Sequence, residues 1–515
     1  MNILKSAFTV SSWTGASRVL GFLRDVTIAN KLGTSAASDA FFVAMLLPNL
    51  LRRLFGEGAF NVAFIPIATR IQQNQDKAAM QEFAGMCLGL LAVVLGVIVI
   101  LGEIFMPAVV TLVAPGYAAD PEKLALTSFL GRITFPYLML ITYATLAGAI
   151  LNSLNIFKPF AMVPVFLNLA LLAGLWILPL FNVEPVFAAS IAVPLGGVWQ
   201  ALYMRRHLQK SRVRLKFIWQ PKHDKIQQLL RRIGPAALAI GVLQLSFMID
   251  NQLASLLGDK SISYLNYANR FYQFPLSLIG IAMATVLLPH FSRALEKGDK
   301  EMVKDTFNQS LTQSIALALA CTVGLSLLGH ELIGTMFGHG KFTENSVNMA
   351  AWAMVAYSVG LPGYVTTKVC LSAFYANEDT KTPIKISIAA LVVNLIFNLI
   401  LMQYFAHVGI ALATAIAGYV NACLQIWYLK RLNVVDIPLD SRFFTPLFKA
   451  IGISAVMFVM ILGYKLYVPY GEHFITKMVW LITAGGLGLG IFLALSHKLG
   501  MFDVKLLVQK LRAKV

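Results

Sequence analysis

The chain has 515 residues, of which 58% are hydrophobic and 13% charged, and its formal net charge is +18. A soluble domain carries about 25% charged residues, so this composition excludes an ordinary soluble protein. The positive charge is divided among separate loops instead of forming one basic surface, which argues against a nucleic-acid-binding protein.

Long apolar segments follow one another along the chain, and about fourteen of them reach the roughly 20 residues that a transmembrane helix needs. They are too long and too uniformly apolar for barrel strands. The sequence therefore predicts an all-α polytopic membrane protein with about 14 transmembrane helices. The predicted centres lie near Leu20, Met45, Val94, Met139, Leu169, Ile191, Val242, Ile279, Leu317, Val359, Val392, Ala415, Ala455 and Gly486.

Lysine and arginine concentrate in alternate loops, most densely between Arg205 and Arg232. The opposite loops are short and poor in both residues. This positive-inside pattern predicts a multi-pass protein with both termini in the cytoplasm. For the 205–232 cluster, topology and contact with anionic phospholipids explain the charge better than a dedicated partner site. The first helix lacks an Ala-x-Ala exit, so no cleavable signal peptide is predicted.

Three pairs of similar segments recur in order at a nearly constant offset. The pair NSLNIFKP and FYANEDTKTP places Asn155 against Asn377, and Asn168 corresponds in the same way to Asn394. The repeat predicts two parallel six-helix lobes followed by two further helices. The predicted boundaries are residues 1–218 for the first lobe, 219–432 for the second, and 433–515 for the two C-terminal helices with a basic cytoplasmic tail.

The first predicted helix carries Arg18, Arg24 and Asp25 within an apolar segment. A charge near the bilayer centre costs about 2.5–3.5 kcal/mol even on lenient scales, so such residues normally face a hydrated cavity. Arg18 and Asp25 share a helical face, so part of the charge can be compensated within the helix. A structural Arg–Asp pair between helices is the alternative.

The second helix carries Asp39, Pro48, Arg52 and Arg53. Pro48 is expected to kink it. Arg53 is spaced to pair with Glu57, which leaves Arg52 as the better contact for an anionic cargo. The alternative for Arg53 is a side chain that extends to the membrane interface.

The eighth helix carries Asn269, Arg270 and Gln273, with amides but no carboxylate beside the arginine. An anionic ligand would balance this charge, although Arg270 reaching the interface is an alternative.

A second polar group combines Asp250 with Asn394, Asn398 and Thr414. Its oxygens could coordinate a monovalent cation or relay a proton, whereas interhelical hydrogen bonding is the simpler interpretation.

Enzyme motifs are absent from the sequence, and GTMFGHGKF at residues 334–342 lacks the Ser/Thr that a nucleotide-binding P-loop requires after lysine. The four cysteines, Cys87, Cys321, Cys370 and Cys423, fall in apolar segments and are predicted to be core residues without disulfides. Gly486 and Gly490 are spaced for close helix packing.

The segments ASRVLGFLRD, SDAFFVAMLLPNLLRRLFGEGAF and YANRFYQFPLSLIGIAMATVLLP closely resemble the MurJ (MviN) family of lipid II flippases, within the multidrug/oligosaccharidyl-lipid/polysaccharide exporter (MOP) superfamily. The resemblance covers essentially the whole chain. It implies a bacterial inner-membrane transporter whose two lobes surround a central cavity, with the last two helices forming a groove for a polyprenyl tail. It also implies that Arg18, Arg24, Asp39, Arg52 and Arg270 matter for transport.

The cargo that the resemblance implies is lipid II, an undecaprenyl pyrophosphate bearing a disaccharide-pentapeptide. Many relatives carry acidic residues where this chain has Asn269 and Gln273. Some relatives hold sodium in the second lobe, and Asp250, Asn394 and Thr414 match that pattern, while Asn398 replaces an aspartate. No cofactor is expected, and Na⁺ or H⁺ is the candidate coupling ion. The oligomeric state does not follow from the sequence.

Three other functions are alternatives to a lipid II flippase. A drug/cation antiporter of the same superfamily should have an acidic cavity for its cationic cargo. A flippase for another polyprenyl-linked oligosaccharide would share the arginines. A membrane scaffold without transport would gain nothing from placing arginines within apolar helices.

Overall fold

The computed structural model describes residues 3–53, 59–296, 299–432 and 441–501, and this part of the chain is helical without β-strands. Two short 3₁₀ helices, Pro115–Ala119 and Leu178–Phe181, accompany the α-helices. The α-helices in chain order are α1 (Ile3–Leu32), α2 (Ala36–Leu51), α3 (Ala59–Asn74), α4 (Lys77–Ile104), α5 (Met106–Val113), α6 (Pro121–Thr134), α7 (Tyr137–Ser153), α8 (Lys158–Ile177), α9 (Pro185–Lys210), α10 (Asp224–Ser255), α11 (Ser261–Glu296), α12 (Lys300–Phe337), α13 (Glu344–Val359), α14 (Leu361–Ala376), α15 (Lys381–Arg431), α16 (Ser441–Tyr467) and α17 (Phe474–Lys498).

The predicted all-α membrane class is confirmed, and each predicted span centre falls within a helix. Among the described residues, eight segments are long and apolar enough to cross a membrane. The count of about 14 transmembrane helices therefore stays a prediction.

Helix boundaries follow local chemistry. The side chains of Asp76 and Asp120 accept hydrogen bonds from Ala79 N and Lys123 N, which satisfies backbone donors at the starts of α4 and α6.

The chain folds into two compact units. Unit 1 comprises residues 1–263 and 340–342, and unit 2 comprises residues 264–339 and 343–515. These units are defined by packing, whereas the predicted boundaries at 218/219 and 432/433 describe a repeat in the sequence and stay a prediction. α10 belongs to unit 1, and α11 begins in unit 1 and continues into unit 2.

In unit 1, α8 packs against both α1 and α9, while α2 packs against α6. Small residues allow these helices to approach closely, as expected where helices associate in lipid. A Cβ atom on Gly174 of α8 would lie 2.6 Å from the Cβ of Ala192 on α9. α1, which carries the charged side chains, packs against α8 of this close α8–α9 pair.

In unit 2, α12 packs against α13, α14, α16 and α17. Ala316, Ile453, Met457 and Trp480 belong to the buried cluster that joins α12 to the last two helices. The prediction that Gly486 and Gly490 pack closely is wrong, because no described atom lies near a Cβ built on either residue.

The close contact on α17 belongs to Gly488, whose Cβ would lie 2.6 Å from Ile461 Cδ1. Two residues correspond to about 200° around a helix, so Gly488 faces α16 while Gly486 and Gly490 face away.

Two predicted spans, centred on Val392 and Ala415, correspond to the two helical halves of α15, which Ala406 separates with φ 48° and ψ −131°. The cysteine prediction is also corrected in part. All four cysteines are free, but Cys423 is exposed on α15 and is not a core residue. A membrane helix presents apolar residues outward as well as inward, so an apolar sequence does not establish burial.

Candidate functional site

Arg24 is oriented by contacts from two helices. Its Nε and Nη2 donate to Asp25 Oδ1 at 3.0 and 2.7 Å, and its Nη1 donates to Asn168 Oδ1 at 2.9 Å. Asn168 Nδ2 donates in turn to the carbonyl of Ser17 at 3.0 Å. A single residue of α8 therefore positions both α1 and the Arg24 guanidinium.

The Arg24 side chain remains 18% exposed, whereas Asp25 is buried. Asp25 thus balances part of the charge of its chain neighbour Arg24, whereas the sequence interpretation placed it on the face of Arg18. Arg18 lies nearer the start of the same helix and is exposed. A guanidinium that is fixed in orientation and still accessible can form paired hydrogen bonds with a phosphate or carboxylate.

α2 is helical through Pro48 and ends in a π-type turn at Arg52 and Arg53. Proline has no N–H group, so the carbonyl of Ala44 loses its helical partner. The Thr134 hydroxyl donates to that carbonyl at 3.2 Å. This contact with α6 stabilises the interrupted part of α2, immediately before the two arginines.

The two arginines differ in environment. Arg52 is half-buried, whereas Arg53 is exposed and donates from Nη1 to Gln244 Oε1 of α10 at 3.1 Å. Glu57, the partner predicted for Arg53, lies outside the described residues, so the Arg53–Glu57 pair stays a prediction. A role for Arg52 or Arg53 in binding cargo stays a prediction.

Asp39 is fully buried near the start of α2 and accepts several hydrogen bonds. Its Oδ2 accepts from the backbone N–H of Lys260 at 2.7 Å. Its Oδ1 accepts from the backbone N–H and the hydroxyl of Ser263 at 2.9 and 2.5 Å. The carboxylate therefore joins α2 to the first turn of α11. Its predicted role in binding cargo stays a prediction.

The buried Lys123 of α6 supplies a counter-charge that the sequence did not reveal. Its Nζ lies 3.6 Å from Asp39 Oδ2 and 2.5 Å from Asp259 Oδ1, and 4.3 Å from the centre of the Tyr117 ring. Lys123 lies in the first turn of α6, where a lysine usually faces solvent. Its partners Asp39 and Asp259 lie 84 and 136 residues away in sequence, so only the fold brings the three together.

Asp39→Ala is expected to lower the thermal stability of the protein more than Glu122→Ala, a control at an exposed acidic residue of α6. The change removes one partner of a buried charge network, for which losses of about 3–5 kcal/mol are typical. Thermal unfolding in one detergent measures the difference. Equal melting temperatures for the two variants would show that the Asp39 contacts are not stabilising.

In unit 2, α11 carries Arg270 and the two amide residues predicted beside it. Arg270 and Gln273 are exposed and three residues apart, so they share a face, while Asn269 is half-buried. Tyr272 lies between them and stacks on Tyr357 of α13 with ring centres 5.4 Å apart. The buried tyrosine anchors α11 with its arginine on the accessible side.

The predicted second polar group is brought together in part. Asn398 Nδ2 donates to Asn394 Oδ1 at 3.1 Å, and Asn394 Nδ2 lies 3.4 Å from Thr414 Oγ1. Both asparagines are buried. The Asn394–Thr414 contact joins the two halves of α15 across the break at Ala406, as the simpler interpretation of interhelical hydrogen bonding predicts. The Asn394–Asn398 bond lies within the first half.

Asp250 is also buried but belongs to α10 in unit 1. Amide, hydroxyl and carboxylate oxygens are hard ligands that suit a cation such as Na⁺, so the residue types fit the candidate site. Asn394, Asn398 and Thr414 are uncharged, and Asp250 alone would balance a bound monovalent cation. An ion at these residues stays a proposal.

The helical architecture is that of known membrane transporters. An inward-facing multidrug resistance MATE family transporter of the MOP superfamily aligns with a TM-score of 0.69 over 83% of this chain and 98% of its own, at 15% identity, which shows the fold alone. A structure of lipid II flippase MurJ in an inward closed conformation aligns with a TM-score of 0.78 over 95% of this chain and 99% of its own, at 25% identity. The chain thus has the polytopic helical fold of this class of transporters.

Sequence comparison identifies the family within that class. The family model of lipid II flippase MurJ matches residues 28–481. A probable lipid II flippase MurJ of Rickettsia prowazekii is 32% identical over 500 residues, which cover 97% of this chain and 98% of the relative. Lipid II flippase MurJ of Burkholderia cenocepacia is 35% identical over 453 residues, covering 87% and 88%. The chain belongs to the MurJ family of lipid II flippases, which is a family of transporters and not of enzymes.

Proposed function

We propose that this protein moves lipid II from the cytoplasmic to the periplasmic leaflet of the bacterial inner membrane by alternating access. Both termini lie in the cytoplasm in this proposal, as the distribution of lysine and arginine predicts. Family membership supports lipid II as the cargo. The outward direction is inferred from the negative charge of the cargo in an inside-negative membrane potential.

The oriented Arg24 guanidinium is the observation that carries the proposal. Asp25 and Asn168 fix its plane, and its side chain stays partly exposed. A planar fork of N–H donors matches the oxygens of a pyrophosphate. Arg18 and Arg270 add accessible cations on membrane helices. Such groups would repel a cationic drug, and so they disfavour an antiporter of that kind.

The test is depletion of the protein in its host, followed by a leaflet-resolved assay of lipid II. Depletion should trap lipid II in the cytoplasmic leaflet while its synthesis continues, and re-expression should restore the periplasmic pool. A normal periplasmic pool after complete depletion, in cells without another lipid II transporter, would overturn the proposal. Wall defects accompanied by normal lipid II translocation would instead support a scaffold.

We further propose that Asp250, together with Asn394, Asn398 and Thr414, binds a coupling Na⁺ or H⁺. One carboxylate and one monovalent cation together are neutral, which suits burial in a membrane. Because Asn398 stands where some relatives have a second carboxylate, sodium should bind weakly here.

Sodium chloride is expected to raise the melting temperature of the wild type above that in potassium chloride at equal ionic strength. Asp250→Asn should remove this difference and reduce growth complementation. Thr322→Ser, which keeps a hydroxyl on α12 away from the proposed site, is the control. If Asp250→Asn is fully active and sodium has no effect on either protein, Asp250 and its proposed partners serve only in packing.

A further inference from the structure

Lys368 is a further cation, in the span predicted near Val359, that the sequence-based site prediction does not include. It lies in the middle of α14, in the segment LPGYVTTKVC, and its side chain is exposed. Its neighbours Thr367 and Val369 are buried, as is most of the helix. α14 packs against α12 and α15, and Lys368 therefore occupies a narrow accessible stripe on a largely enclosed helix.

The lysine lies against α11, the helix that carries Arg270. A Cβ atom on Gly280 would lie 3.2 Å from Lys368 Cγ, so the absence of a side chain at Gly280 makes room for the lysine stem. Nearby, the rings of Tyr272 and Tyr364 meet edge to face with centres 6.1 Å apart and fix the same two helices. The structure thus holds the base of the Lys368 side chain in place.

No described residue forms an ion pair with Lys368, in contrast to Lys123, Lys465 and Arg24, each of which has a carboxylate within 4 Å. α14 ends eight residues further on at Ala376, about 12 Å along the helix axis, so the lysine does not lie at the helix end. An ammonium at this depth requires water or an anion to offset its insertion cost.

On the basis of the proposed function, we infer that Lys368 is a second anion-binding residue of unit 2 and contacts the lipid-linked pyrophosphate. Gly280 follows Arg270 by ten residues, which separates the two positions by about 15 Å along α11. In the predicted topology Gly280 lies on the cytoplasmic side of Arg270. The pyrophosphate therefore meets Lys368 before Arg270 as it moves outward. A flexible ammonium provides attraction without the fixed geometry of a guanidinium.

The experiment measures binding of undecaprenyl pyrophosphate to the purified full-length protein in detergent. Lys368→Gln should weaken binding about tenfold, the loss expected for one charge-assisted hydrogen bond, and Lys368→Arg should retain most of it. Lys385→Gln, at an exposed lysine of α15, is the matched control and should bind as the wild type does. Wild-type affinity of a folded Lys368→Gln protein would overturn the inference.

A labelling experiment tests the role of Lys368 independently of the affinity of the Lys368→Gln variant. Lys368→Cys is combined with Cys423→Ser, because Cys423 is the exposed native cysteine while Cys370 is buried. A cationic thiol reagent should label residue 368 in membrane vesicles, and undecaprenyl pyrophosphate should slow labelling at least about threefold. Absence of labelling or of protection would overturn the inference. Equal protection by inorganic pyrophosphate would overturn its assignment to a lipid-linked anion.

Arg270→Ala separates this inference from the proposed function. If Arg270→Ala abolishes binding while Lys368→Gln has no effect, the inference about Lys368 fails and the proposed function stands. If the wild type itself does not bind undecaprenyl pyrophosphate, the proposed function fails as well.

Discussion

Arg24→Ala is expected to abolish lipid II transport, with the protein still present in the membrane. The change removes the accessible guanidinium that Asp25 and Asn168 orient. An anionic cargo then loses the paired N–H donors and the positive charge of this residue. Growth complementation, with membrane levels measured by immunoblot, tests the variant.

Two further variants separate charge from geometry at this position. Arg24→Lys keeps the charge but cannot donate to Asp25 and Asn168 through a planar fork, so it should restore only part of the function. Asn168→Ala keeps Arg24 but removes the hydrogen bond to Nη1, and it should also be partly active. Full activity of Arg24→Lys would show that charge alone suffices. Full activity of Arg24→Ala would contradict the proposed role of Arg24.

Collapse of the membrane potential is expected to slow lipid II translocation severalfold or more. Each charge that crosses the full field contributes about 2.3 kcal/mol per 100 mV. An inside-negative potential favours outward movement of the anionic headgroup and inward return of the cationic protein groups. Vesicles containing the purified protein, with a potassium gradient and valinomycin, allow the potential to be set.

The matched control for this experiment is vesicles with the same gradient but no valinomycin. A proton carrier added separately distinguishes the potential from the pH gradient. Translocation at the same rate with and without a verified potential would show that the potential does not drive transport.

The helices could be predicted from the sequence because lipid imposes a simple rule on composition and length. The breaks within them were harder to predict. Pro48 was expected to kink α2, but the donation from Thr134 to Ala44 that supports this region depends on a helix distant in sequence. The two predicted spans centred on Val392 and Ala415 require a break between them, but no sequence feature marks Ala406 for a positive φ, so the position of the break does not follow from the sequence.

The candidate site was predictable where a charge interrupts an apolar segment. Arg24 and Arg270 were found in this way. Their partners were not, because a residue such as Asn168 is an ordinary polar residue until the fold places it against Arg24, 144 positions away. Lys368 was missed although it also interrupts an apolar segment. Its exposure on an otherwise enclosed helix is what distinguishes it, and exposure is a property of the folded chain.

Reconstitution tests the central claim most directly, namely that this chain alone moves lipid II across a bilayer. Lipid II would be placed in both leaflets of vesicles containing the purified protein, with an inside-negative potential, and its accessibility to an external modifying enzyme would be followed over time. In vesicles with the wild-type protein, lipid II from the inner leaflet should become accessible to the enzyme over time. In vesicles with the Arg24→Ala protein, the inner-leaflet lipid II should stay inaccessible. Retention of that pool by folded wild-type protein, at the level of protein-free vesicles, would contradict the claim.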